Sequence, residues 1–294
     1  MLRRSGLGLI LLAAFACGAE AAPRADIVGV FVWTDDSRLF GGLSGFDLAD
    51  DGRGFVAVSD RGAVVAGRLI RDASGAVTGV EAAAPVPLLS REGKRLSREM
   101  ADAEGLALMA DGGFYVSFEI RPRVAHYSAH GVVPSREIWP RDFLKFEDNA
   151  GAEALAIDAD GALYTLPERS ASRTTPFPVY RMRGDVVDQP FDLRRDGDWL
   201  PTGADFGPDG RLYLLERDYW PILGFLSRVR RITLKGDEVI EDVVILQTRA
   251  GDHDNLESIS VWRDENGILR LTLLSDDNFS PLEQTELVDF RIVE

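Results

Sequence analysis

The chain has 294 residues, 45% of them hydrophobic, and a formal net charge of −15. So acidic a chain, with no basic stripe carrying aromatics, argues against nucleic acid as a partner. Its one cysteine, Cys17, leaves no disulfide framework.

Residues 1–21 read as a secretory signal peptide. Arg3 and Arg4 precede an apolar run from Gly6 to Ala16, and Ala19-Glu20-Ala21 offers small residues for cleavage before Ala22. The run is too short to span a bilayer, and no later stretch is long and apolar enough. The arginine pair keeps twin-arginine export open beside the general secretory route, and Cys17 follows a poor lipoprotein signal, Ala14-Phe15-Ala16. The expected product is a periplasmic or secreted monomer without a transmembrane segment, one domain over 22–294. Losing Arg3, Arg4 and Glu20 takes the charge from −15 to −16. The mature chain then has no thiolate nucleophile and no Cys-ligated metal.

Ile27–Trp33, rich in Val, Ile and aromatics, is the first predicted strand. Five tight turns follow: Asp51-Gly52, Asp111-Gly112, Asp160-Gly161, Asp209-Gly210 and Asn266-Gly267, spaced by 60, 49, 49 and 57 residues. Each is predicted to join two strands of a hairpin. The second unit offers strands at Glu104–Met109, Gly113–Phe118, Val124–Ser128 and Ser135–Trp139. The third offers Glu153–Ile157, Ala162–Leu166, Val179–Met182 and Val186–Phe191. The fourth offers Thr202–Phe206, Leu212–Leu215, Leu226–Thr233 and Val239–Gln247. The fifth has only Glu257–Trp262, Leu269–Leu274 and Leu287–Val293, one strand short. Periods near 50 residues with four strands each predict an all-β chain, a single closed β-propeller of five four-stranded blades. Pairing Ile27–Trp33 with Leu287–Val293 completes the last blade and removes two exposed edges. Six blades are the alternative if 80–97 holds further strands.

The open ends of the hairpins repeat a chemistry. Ser44, Glu104, Glu153, Thr202 and Glu257 start the first strands, and Asp60, Glu119, Glu168, Glu216 and Asp276 end the second ones. In a propeller these two sets ring one mouth of the channel. Carboxylates about 7 Å apart repel by roughly 2 kcal/mol at an effective dielectric of 20, so raised pKa values, arginines or a bound cation must relieve them. Oxygen-only ligands favour Ca²⁺, with Glu104, Glu153 and Glu257 as inner ligands and Asp60, Glu119, Glu168, Glu216 and Asp276 around them. Asn149, Asn255, Asp277 and Asn278 add further oxygens. Arg61, Arg121, Arg169 and Arg217 follow four of the outer acids. They are candidates to hold an anionic substrate, or alternatively to pair the acids and leave no metal site. Tyr219 and Trp220, in a loop after a second strand, are candidates for a stacking wall. Lys94, Arg95 and Arg98 lie in a stretch that offers a cationic lid or a solvated loop.

Gly42-Leu-Ser-Gly-Phe46, Val58-Ser-Asp-Arg-Gly62, Asp102-Ala-Glu-Gly-Leu106, Phe206-Gly-Pro-Asp-Gly210, Leu214-Leu-Glu-Arg-Asp218 and Asn255-Leu-Glu-Ser-Ile259 resemble the phytase-like, esterase-like family of secreted bacterial β-propeller proteins. The resemblance runs from about Phe40 to Glu294. It implies a propeller and hydrolysis of phosphate or carboxylic esters, without assigning catalytic residues. The chain has no Gly-x-Ser-x-Gly elbow, and its only histidines are His126, His130 and His253, which argues against a Ser–His–Asp mechanism. The expectation is therefore metal-dependent ester hydrolysis, with Glu104, Glu153, Glu257 or His253 as catalytic candidates. A non-catalytic calcium-stabilised binding propeller and a lactonase-like sugar-processing propeller are the alternatives.

Overall fold

All five predicted turn pairs close tight turns in the computed structural model, which describes residues 22–145 and 151–294, while a sixth such pair, Asp196-Gly197, stands in a connection between blades. Gly52, Gly112, Gly161, Gly210 and Gly267 have φ between +63° and +83°. Each donates its N–H to the carbonyl three residues back at 2.8–2.9 Å. A side chain would be strained in this left-handed region, so glycine recurs at each turn. The signal-peptide reading, Cys17 and Asn149 lie outside the described residues.

Strand β1 (Arg24–Val32) precedes the first blade, formed by β2 (Leu43–Leu48), β3 (Gly54–Ser59), β4 (Ala63–Arg71) and β5 (Val77–Ala82). The two-residue β6 (Val86–Pro87) pairs with the start of β4. A short helix, α1 (Arg98–Ala101), leads into the second blade, β7 (Ala103–Leu108), β8 (Phe114–Phe118), β9 (Arg123–Tyr127) and β10 (Arg136–Ile138). The third blade is β11 (Ala152–Ile157), β12 (Leu163–Pro167), β13 (Phe177–Arg183) and β14 (Val186–Leu193). The fourth is β15 (Leu200–Phe206), β16 (Leu212–Trp220), β17 (Gly224–Lys235) and β18 (Glu238–Gln247). The fifth takes β19 (Asn255–Arg263), β20 (Leu269–Asp276) and β21 (Glu286–Val293) from the end of the chain.

The missing strand of the fifth blade comes from the start of the chain. β1 pairs antiparallel with β21, from Arg24 opposite Val293 to Val32 opposite Glu286. The 80–97 stretch supplies only the end of β5, β6 and a bridge between Leu89 and Arg95. Five blades therefore close the ring. Among the described residues no helix is long and apolar enough to cross a membrane.

The core follows from this geometry. Each sheet buries apolar side chains against its neighbours, giving five apolar clusters, one between each pair of adjacent blades. The innermost strands β2, β7, β11, β15 and β19 form a closed ring of neighbours. Five blades leave a narrow axis, and small residues make it fit. A Cβ at Gly45 would lie 2.7 Å from the Glu104 carbonyl oxygen, one at Gly105 2.5 Å from that of Glu153, and one at Gly203 2.6 Å from that of Glu257. Ser258 holds the fifth position by donating its hydroxyl to the Ser44 carbonyl. At the turn end of the channel, Asp47 accepts N–H groups from Leu48 and from Leu108 of the next blade, each at 2.8 Å. Asp205 accepts the Val261 N–H at 2.6 Å. These two carboxylates tie the first blade to the second and the fourth to the fifth.

Candidate metal centre and substrate cavity

The inner strands are irregular at one repeated position. Register slips between Leu43 and Gly45, Ala103 and Leu106, Ala152 and Ala154, Pro201 and Gly203, and Leu256 and Ser258. The residues spanned include Ser44, Glu104, Glu153, Thr202 and Glu257, the five predicted to line the mouth. A bulge adds one residue and re-aims its side chain, so the fold sets these five apart from the regular alternation of the sheet.

The outer positions follow from the same pairing. Asp60, Glu119 and Glu168 donate their N–H groups to the carbonyls of Gly42, Asp102 and Gly151, and Asp276 stands opposite Asn255. In the fourth blade the equivalent residue, opposite Leu200, is Arg217; Glu216 stands opposite Pro201. This corrects the expectation for Glu216. Its carboxylate is fully buried on the other side of the sheet, 2.5 Å from Arg228 Nε and 2.9 Å from Arg230 Nη1. Alternation along β16 is the reason: Glu216 turns away from the mouth and Arg217 turns toward it. Turn-to-acid spacing carried the signal, because Glu119 and Glu168 stand eight residues after their turn aspartates and so does Arg217.

Arg217 divides the acids into two groups. Its guanidinium is 2.5 Å from Glu257 Oε1, 2.7 Å from Asn255 Oδ1 and 3.4 Å from Glu168 Oε1. Burial works against the cation, but Glu257, Glu153 and Glu168 outweigh it and hold Arg217 above its ordinary range. Blades three to five thus carry their own counter-charge. Across the channel, oxygens of Asp102, Glu104 and Glu119 all lie within 4.8 Å of one another. Among the described residues no guanidinium bonds to any of these three. Burial, reinforced by Glu153, Glu257, Asp102 and Glu119, pushes the Glu104 carboxyl well up. Burial and then Asp102 raise Glu119 to about 7, while Asp102 itself is raised by burial against the opposing effects of a bond with Glu119 and the nearby charge of Arg98. The Glu153 carboxyl is also pushed well up, by burial and then Glu168, although Arg217 opposes this.

Two more acids flank the uncompensated trio. Burial raises Asp60 to about 6 against the pull of Arg61, and its Oδ1 is buried without a hydrogen-bond partner. Asp276 rises to about 8 through burial and then Glu257. Asp277 serves the backbone instead, accepting N–H groups from Gly42 and Phe279 at 2.8 and 2.9 Å. Asn278 bonds outward to Glu283. The orphaned Asp60 oxygen and the oxygen-only trio suit a hard cation. Asp102 was missed by sequence reasoning, yet Asp102-x-Glu104 repeats the spacing of Asn255-x-Glu257.

The remaining candidates scatter. Arg121 is exposed and pairs with Glu99 at 2.9 Å, and Arg169 pairs with Glu168 at 3.1 Å. Arg61 lies with its Cζ 3.3 Å from the centre of the Phe279 ring. His253 stands outside the trio, its Nδ1 3.5 Å from Glu286 Oε2. Tyr219 and Trp220 belong not to a loop but to the outer end of β16, which runs on with β17 as a hairpin. Both are about half exposed, beside Ile222, which is 95% exposed at the tip.

A cavity of about 500 Å³, lined by Asp60, Arg61, Leu96, Arg98, Ala101 and Asp102, adjoins the trio through Asp102. By the same measure the axial space beside Ser44, Gly105, Thr202 and Glu257 holds about 10 Å³, room for about one water.

The family model described as phytase-like, esterase-like activity of phytase, matches residues 38–279. The chain belongs to this family. No curated protein matches it. The phytase-like chain is also similar in structure to the PQQ-bound aldose sugar dehydrogenase of Streptomyces coelicolor, with 12% identity and a TM-score of 0.51 over 93% of this chain and 99% of that one. Against virginiamycin B lyase of Staphylococcus aureus the identity is 13% and the TM-score 0.45, over 90% of this chain and 73% of that one. At such identities the dehydrogenase likeness shows the propeller fold alone.

Proposed function

We propose that this phytase-like propeller is an exported, monomeric hydrolase that cleaves a phosphate ester or another small ester with the help of a hard divalent cation, Ca²⁺ in the first instance. The observation that supports this most is the uncompensated trio. At 4.8 Å two full carboxylate charges repel by roughly 3.5 kcal/mol at an effective dielectric of 20. Asp102, Glu104 and Glu119 would hold the ion, which supplies charge neutralisation and Lewis acidity. Arg217 keeps Glu257 and Glu168 engaged on the other side. Asp60 lines the adjoining cavity and titrates near pH 6, which suits a carboxylate that takes a proton from the attacking water. Arg61, on the same wall, would orient an anionic substrate.

Metal analysis of the mature protein tests the reading, followed by turnover of p-nitrophenyl phosphate, p-nitrophenyl acetate, a lactone and an aldose with and without chelator. One bound ion and at least a tenfold loss of ester turnover on chelation, matched by Glu104→Gln, are expected. Tight metal without turnover leaves the binding propeller, and turnover of only the lactone or the aldose leaves the sugar-processing one. Ester turnover indifferent to chelator removes the metal from the reaction.

A further inference from the structure

The larger of the two cavities described above lies off the propeller axis. The channel between the inner strands has room for about one water, whereas the cavity between the first blade and the segment leading into the second measures about 500 Å³. That volume suits one small molecule rather than a polymer. Its wall is mixed in a definite way: Asp60 and Asp102 face the candidate metal centre, Leu96 and Ala101 are apolar, and Arg61 and Arg98 are cationic.

These two arginines differ from those that an acid already holds. Arg121 is bonded to Glu99, Arg169 to Glu168, and Arg217 to Glu257, Asn255 and Glu168. Arg228 and Arg230 are taken by Glu216. Among the described residues neither Arg61 nor Arg98 forms a hydrogen bond or ion pair with a carboxylate. Arg61 is braced by the Phe279 ring beneath its guanidinium, which fixes the side chain while leaving its N–H edge uncommitted. Arg98 begins α1, four residues before Asp102, and so joins the cavity to the acid cluster through one short segment. Both arginines are exposed to solvent, so a ligand can reach them. Two uncommitted guanidinium groups on one cavity wall beside two carboxylates make an oxyanion site that would otherwise be repelled by the acids.

We infer that the substrate cavity lies off the axis, between the first blade and the 88–101 segment, and that Arg98 and Arg61 together bind the oxyanion group of a compact ester substrate there. This rests on the hydrolase reading for the word substrate, and on the cavity and its arginines alone for the site. Arg98 is a specificity-determining residue in this arrangement. It selects for a charged group on the molecule, while Leu96 and Ala101 offer the uncharged part an apolar wall.

The test uses the mature protein in saturating calcium, titrated calorimetrically with inorganic phosphate, with acetate and with glucose. Wild type is compared with Arg98→Gln, Arg61→Gln and Arg68→Gln; Arg68 pairs with Asp51 at the turn end of the same blade and controls for loss of a positive charge. Circular dichroism melts verify that each variant folds. Phosphate or acetate is expected to bind, at least tenfold more weakly to Arg98→Gln and to Arg61→Gln, and within twofold of wild type to Arg68→Gln. Preference for phosphate assigns a phosphate ester, and preference for acetate a carboxylate. Glucose is expected not to compete. Anion affinity equal in wild type, Arg98→Gln and Arg61→Gln overturns the inference, as does failure of both anions to bind. If arginine-dependent anion binding persists but no ester is turned over, the hydrolase reading alone falls. If chelator-sensitive hydrolysis is found without arginine-dependent anion binding, the cavity assignment alone falls.

Discussion

Replacing Arg217 by Met removes the cation that Glu257, Glu153 and Glu168 share, while keeping most of the aliphatic length. In the wild type this guanidinium meets Glu257 at 2.5 Å and Glu168 at 3.4 Å, and Glu153 also feels its charge. Breaking a buried pair by deleting one partner costs about 3–5 kcal/mol, because the other partner is left charged and unpaired. The Arg217 side chain is 24% exposed, so the lower end, about 3 kcal/mol at pH 7.5 without calcium, is the appropriate figure. With an unfolding entropy of about 2 cal/mol/K per residue, that lowers Tm by about 5 °C. The loss must depend on pH. Arg217 opposes the rise of the Glu153 carboxyl, so without it protonation of that carboxyl stabilises the variant further on acidification, and at pH 5 the deficit should shrink. Millimolar calcium should also shrink it by replacing part of the missing charge. Differential scanning calorimetry at pH 5 and 7.5, with calcium and with chelator, reads all four conditions. An equal deficit at both pH values would falsify the view that Arg217 acts by neutralising acids, and would leave lost packing as its contribution.

The wild-type protein in chelator should be more stable near pH 5 than near pH 8. Asp60, Glu119 and Asp276 have folded pKa values of about 6, 7 and 8, all above the ordinary carboxyl range. Their contribution is fully present below about pH 4 and is lost as pH rises through those values. Calcium at about one hundred times its dissociation constant adds about 2.7 kcal/mol and should flatten most of the slope. A remnant should persist, because Asp47 and Asp205 at the turn end also have raised pKa values; melts that do not vary between pH 5 and 8 refute the scheme. Glu216→Gln should cost about 3 kcal/mol or less, since Arg228 and Arg230 lose a buried partner but keep Asp196 and Asp242, yet leave the calcium-induced rise in Tm unchanged. A lost calcium response in that variant would return Glu216 to the metal centre.

Most of the fold was legible because it is written in turn chemistry and alternation, which are local. A positive-φ glycine after Asp or Asn marks a hairpin at five places and fails only at Asp196-Gly197, which joins two blades, and the incomplete fifth unit demanded the strand that β1 provides. The site was legible only where its residues keep step with those turns. Glu104 and Glu153 stand seven residues before their turn aspartates, as does Ser44, and the bulge that holds them inward follows the same period. Arg217 broke the pattern by charge rather than by position. A reading that sought an acid in every blade chose Glu216, one residue early, and alternation then carried it to the opposite face. The cavity was less legible still. Its wall joins Asp60 and Arg61 at the end of β3 to Arg98 and Asp102 after a connection of unequal length, and no repeat predicts such a contact.

Charge is what links the two scales. A five-bladed ring brings its inner strands so close that only glycine or another small residue fits between neighbouring carbonyls, and the same closeness forces the bulged acids together. Symmetry would place five like charges on the axis, at a cost that rises with every pair. The chain departs from symmetry to avoid this: Ser44 and Thr202 are uncharged, and Arg217 occupies one outer position. The closest uncompensated group among the described residues is in one sector, Asp102, Glu104 and Glu119, and a cavity of about 500 Å³ opens next to that sector. The asymmetry that makes the ring tolerable to fold is therefore the same feature that gathers its unpaired acids beside one cavity.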